Sequence, residues 1–167
     1  PADAPVRYVS RYAAEAYCAW LSERAPAGYR VALPTEAQWE FAARGGSAVS
    51  ADDFDRKTPY TGSLEEFEWF AGPSSSHNKV QEAGLLRPNP LHLHDMLGNL
   101  SEMTHSLYQI EYYQGRTGGY VARGGNFLTS KKELRTAYRV EQPFYLWEGP
   151  TGGVRQNAKP TLGLRLV

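Results

Sequence analysis

One cysteine, Cys18, is all the sequence offers in 167 residues. A single thiol cannot close an internal disulfide or supply a thiolate zinc tetrad. Cys18 sits among apolar neighbours in AEAYCAWL, which reads as a small buried hydrophobe on a helix. Long hydrophobic runs are also missing. No stretch approaches the roughly 20 apolar residues needed to span a bilayer, and no membrane span is expected. Nor is there an excess of charge of one sign: 18 basic residues face 18 acidic ones. No field draws the chain to nucleic acid or an anionic membrane. Arg56-Lys57 and Lys131-Lys132 are the only adjacent basic pairs, too little for a phosphate track. No internal repeat, low-complexity tract, Ser-His-Asp order or phosphate-loop pattern is present.

What is there is a hydrophobic share of 41% and 11 Tyr, 6 Phe and 4 Trp, with 16 Gly and 11 Pro. This composition excludes disorder and predicts one loop-rich domain over 1–167, its loops anchored by large aromatics. Val6-Arg7-Tyr8-Val9 alternates and reads as a short strand. Ser10 caps a helix from Arg11 to about Arg24, with Ala13, Ala14, Tyr17, Cys18 and Leu21 as its core face. Thr35 followed by Gln38 is a capping box. It opens a second helix to about Arg44, ended by Gly45-Gly46. From Ser47 to Pro90 periodicity is weak, and ordered irregular loop with one or two short strands is expected. Tyr120 to Arg123 reads as a strand. Leu162 to Val167 reads as another, paired with Val6–Val9 or with the Tyr120 strand. The sum is an α+β domain with two short helices and short antiparallel strands.

Four segments carry a family pattern in one order. They are VRYVSRYAAEAYCAWL from Val6, LPTEAQWEFAARGG from Leu33, PNPLHLHDMLGNLSEMT from Pro88, and Arg123-Gly124-Gly125 with a closing Gly163-Leu164-Arg165-Leu166-Val167. The chain thereby resembles the formylglycine-generating-enzyme or sulfatase-modifying-factor family. The resemblance implies a complex C-type-lectin-like fold with bound calcium. It covers nearly the whole chain but not the whole family domain, whose N-terminal portion has no counterpart here. A second chain supplying that portion is one expectation.

The resemblance places a structural calcium loop at Asp95, Gly98, Leu100 and Glu102. Carboxylates and backbone carbonyls from one tight loop suit calcium. Asn99 reads as a turn residue, and no second calcium site is matched between Phe67 and Gln81. The family's enzymes hold copper with two cysteines, which suits soft Cu(I). Those positions fall at about Thr129 and Leu134, so formylglycine generation is not expected. Some relatives lacking the pair carry out other oxidative chemistry, hercynine-forming iron enzymes among them. An alternative metal site of His92 and His94, which alternate in LHLHD, with His105 or His77, is therefore kept open.

Arg123, Arg139 and Arg165 are expected to pair with Glu36, Glu40 or Asp95, or to meet an anionic ligand. Arg123, Tyr112, Tyr113 and Trp147 are candidate ligand contacts, since aromatic loops commonly line protein or ligand interfaces. Two functional classes follow. The first is a non-catalytic, calcium-stabilised binding module for a protein, peptide or glycan. The second is an oxidoreductase relative with a non-thiolate metal. Calcium dependence favours an exported location.

Overall fold

The computed structural model describes residues 3–108 and 118–167. Helix α1 (Arg11–Ser22) begins where Ser10 Oγ accepts from Ala13 N, and α2 (Glu36–Ala43) begins with both bonds of the capping box made. A four-residue turn of helix, α3 (Ala51–Phe54), follows, capped by Ser50. The strands are β1 (Ser101–Leu107), β2 (Gly119–Arg123), β3 (Arg139–Pro143), β4 (Tyr145–Trp147), β5 (Val154–Gln156) and β6 (Leu162–Leu164). The main sheet runs β3-β2-β1-β6, and β4 with β5 forms a separate hairpin.

Side chains alternate across a strand, and that alternation places the helices. Tyr120 and Ala122 of β2 and Met103 of β1 join Ala14 and Cys18 of α1, Leu33 and Leu162 in one buried cluster. The residues between them turn the other way: Glu102 accepts from the Trp39 indole of α2, and Arg123 reaches Glu36 and Glu40 of α2. A second cluster gathers Trp39 and Ala43 of α2 with Tyr60, Phe67, Phe70, Met96, Leu97 and Leu134 from loops.

Several expectations are corrected. Val6–Val9 is not a strand, because Tyr8 adopts φ 60°, which turns the chain out of an extended path. The closing strand pairs in parallel with β1 instead, Ser101 opposite Leu162, so the sheet is mixed. The inward face of α1 is Arg11, Ala14 and Cys18, while Ala13 and Tyr17 are exposed. The span Ser47–Pro90 holds α3, a 3-10 turn at Leu64–Glu66 and, in place of a strand, one isolated bridge from Trp69 to Gly98. No helix among the described residues is long and apolar enough to cross a membrane.

Candidate functional site

The segment Asp95–Glu102 is bent by three left-handed residues, Asp95 (φ 55°), Gly98 (φ 94°) and Asn99 (φ 46°). Backbone bonds pin it on both sides: Gly98 N donates to Gly124 O, Asn99 N to Trp69 O, and Phe127 N to Asn99 O. The Asn99 amide accepts from Gln81 N and donates to Gln81 O, so it ties two loops together. The turn then feeds Glu102 into β1.

Asp95 and Glu102 both line a cavity of about 440 Å³, along with His92, His94, Leu100 and Arg165. Asp95 Oδ2 accepts from Gly84 N at 2.8 Å, while Oδ1 is buried with no partner. Burial pushes the Asp95 carboxyl above its ordinary range, against the pull of the Gly84 N–H and Arg165. Glu102 is already engaged. Arg165 Nη2 donates to its Oε1 at 2.7 Å, Arg165 Nε spans both oxygens, and Trp39 Nε1 donates to Oε2 at 2.7 Å. The same Nη2 donates to His94 O.

A calcium ion fits the orphaned Asp95 Oδ1, a buried carboxyl oxygen with no donor facing it, since a cation there would offset the burial. It fits Glu102 less directly, since that carboxylate would share its remaining lone pair beside the Arg165 fork. Copper does not fit. The hydroxyl of Thr129 accepts from Asn126 N, and Leu134 is wholly buried in the core. A Cβ on Gly125 would meet Leu134 Cδ2 at 2.8 Å and Thr129 Oγ1 at 3.1 Å. The two positions therefore still converge on one point, but with a hydroxyl and an alkyl group in place of thiolates.

The fold does not bring His105 to His92 and His94. His92 and His94 line the Asp95 cavity, with His94 Nδ1 2.7 Å from Leu86 O. His92 has φ 61°, so LHLHD is not the extended segment its alternation suggests. His105 lies in β1 beside Arg11 and lines a different cleft with Cys18 and Leu33. Among the described residues, no group of three or more His, Cys, Asp or Glu is placed to hold a metal.

Arg123 is not a ligand contact, because its side chain is 1% exposed and committed to α2. Arg139 pairs with Glu36 as expected, whereas Arg165 takes Glu102 and only the carbonyl of Asp95. Trp147 does face solvent, 68% exposed on β4, near Tyr145 and Val154. Tyr112 and Tyr113 lie outside the described residues.

Sequence reasoning missed Glu68, which is fully buried behind the loop. Tyr60 O–H donates to its Oε1, and Oε2 has no partner. Burial drives the Glu68 carboxyl well above the usual range and outweighs the opposing hydrogen bonds. The only hint was the acidic and aromatic run from Glu65 to Phe70, which does not reveal the carboxylate that turns inward. A raised folded-state value means the native state holds a proton that the unfolded chain releases above about pH 4.3. Stability from this group is present below that pH and is lost as pH rises toward the folded value. Glu68→Gln is therefore expected to narrow the fall in melting temperature between pH 5 and pH 8. A fall as large as that of the wild type would show that Glu68 is ionised in the fold.

Comparison with known proteins gives this geometry a setting. Residues 1–167 match the sulfatase-modifying factor enzyme 1-like domain. The chain belongs to the sulfatase-modifying-factor family. It is 36% identical over 109 residues to the inactive C-alpha-formylglycine-generating enzyme 2 of Bos taurus, covering 63% of this chain and 34% of that protein. It is 31% identical over 149 residues to the serine/threonine-protein kinase pkn1 of Chlamydia pneumoniae, covering 81% and 21%. With the hercynine oxygenase of Mycobacterium tuberculosis the identity is 30% over 162 residues, covering 83% and 33%. The chain thus spans about a fifth to a third of the length of these curated relatives. Variable protein 1 of Treponema denticola superposes with a TM-score of 0.75 at 23% identity, covering 98% of this chain and 70% of that one. PvdO from Pseudomonas aeruginosa gives 0.75 at 20%, covering 98% and 61%. These likenesses show that the chain shares the fold of those two proteins, which is consistent with a C-type-lectin-like fold.

Proposed function

We propose that the chain is a non-catalytic, calcium-stabilised, lectin-like binding module of the sulfatase-modifying-factor family, with a protein, peptide or glycan as its ligand. The observation that carries this reading is the pair Thr129 and Leu134. They converge where the family's enzymes place copper thiolates, and neither side chain is a soft ligand. An inactive formylglycine-generating-enzyme relative supports it, as does the exposed Trp147 on its hairpin. Calcium would neutralise the buried Asp95 and tie its loop to β1 through Glu102. Such dependence suits a calcium-rich compartment, so an exported location is part of the proposal.

Metal analysis of protein purified without chelator tests this. About one calcium per chain is expected, as one such loop binds one ion. Adding a chelator is expected to lower the melting temperature, because a ligand at 100 times its Kd stabilises by about 2.7 kcal/mol. Asp95→Ala is expected to abolish that chelator response. Stoichiometric iron or copper would overturn the reading in favour of an oxidoreductase, the class to which the hercynine oxygenase resemblance points. Absence of calcium with an unchanged melting temperature would remove the calcium loop.

A further inference from the structure

The two adjacent basic pairs of the sequence meet in space. Lys57 Nζ donates to Lys132 O at 3.1 Å, and Thr136 N donates to Lys57 O at 3.0 Å. Between these segments lies a cleft of about 570 Å³. Its apolar lining comes from Tyr60, Leu64 and Leu134, and its cations from Lys57, Lys131 and Lys132, with no carboxylate among the lining residues. Lys131 is spoken for: its Nζ lies 2.6 Å from Glu65 Oε1 and, with Ser63, holds that carboxyl down at about 2. Lys57 and Lys132 have no acidic partner among the described residues. Two cations brought to one rim repel each other, and an anion between them would relieve the repulsion. The volume falls within the roughly 300–1,000 Å³ of small-ligand sites.

We infer that this cleft, beside the lost thiolate position at Leu134, binds an organic anion: a carboxylate or phosphate head between Lys57 and Lys132, with an apolar body over Leu64 and the edge of Tyr60. The inference rests on the binding-module reading and specifies the anionic group that its ligand presents. Carboxylate and phosphate share the chemistry, and lysine binds either as a point charge rather than as a fork.

The test is a low-salt NMR titration of the full chain with phenyl phosphate and benzoate, with phenol and inorganic phosphate as controls. Saturable shifts at Gly62, Leu64 and Leu134 are expected, with a Kd on the order of 1 mM. The tighter of the two acids names the preferred head. Phenol is expected to leave those resonances unmoved, and inorganic phosphate to bind at least tenfold more weakly. The Lys57→Ala/Lys132→Ala variant alters two exposed side chains. It is expected to keep its melting temperature and raise the Kd at least tenfold. Equal binding by wild type and variant, or no saturable shift, would overturn the cleft. Inorganic phosphate binding as tightly as phenyl phosphate would overturn the apolar floor. Calcium content measured on the same samples keeps this failure distinct from failure of the calcium reading, since neither lysine touches Asp95 or Glu102.

Discussion

Arg123→Ala is expected to cost about 3 kcal/mol of folding stability, roughly 6–12 °C in melting temperature for a chain of this size. The guanidinium is buried, stands 5.1 Å from the Trp39 ring, and donates to Glu36 Oε1 at 2.8 Å, Glu40 Oε2 at 2.5 Å and Thr136 O at 2.6 Å. One side chain thus holds β2, α2 and the loop before β3 together. Truncation opens a cavity and leaves the Thr136 carbonyl unpaired in the core. The expected cost lies at the lower end for a broken buried pair because both carboxylates keep a second partner: Glu36 has Arg139, and Glu40 has Arg44. Arg123→Lys keeps the charge but loses the fork, and about 2 kcal/mol is expected. Urea denaturation with an unchanged m-value checks both. A loss below about 1 kcal/mol for alanine would mean that the network does not hold the sheet to α2.

Gly98→Ala is expected to be harsher still, more than about 4 kcal/mol. The residue has φ 94°, and a Cβ there would stand 2.0 Å from Trp69 O and 2.8 Å from Trp69 C. That carbonyl cannot retreat cheaply, because Asn99 N donates to it and Trp69 bridges Gly98 in parallel. Gly28→Ala separates clash from backbone strain. Its φ is 89°, with nothing within 4 Å of the added Cβ, so only about 1 kcal/mol is expected. Thermal melts of the two variants decide the matter. Comparable losses would mean that the Asp95–Glu102 turn yields around a Cβ and is not the rigid frame a calcium loop needs.

The helices were legible because their signals are local. Thr35 and Gln38 stand three residues apart, and the capping box they spell is made in full. Ser10 caps α1 in the same way. Strand β1 was not legible as a strand. Its first four residues are buried on both faces, so Ser101–Thr104 lacks the alternation that marks a half-exposed strand. In the sequence, Glu102 carries only the signal of a loop carboxylate, although it lies in β1. Val6–Val9 shows the opposite error: alternation is present, but Tyr8 turns left-handed.

The sequence by itself determined the family pattern, the two capped helices and the absence of a thiolate pair, because these depend on which residues are present and on spacings of a few positions. Only the tertiary structure decided which charges meet. Arg165 takes Glu102 from 63 residues away, Arg123 takes Glu36 from 87, and Lys57 reaches Lys132 across 75. It also decided that His105 stands apart from His92 and His94, and that Asp95 keeps one oxygen without a partner. The physical reason is that such pairings are set by left-handed turns and by the order β3-β2-β1-β6, which bring distant segments together. No local spacing encodes which side chain a distant segment will present there.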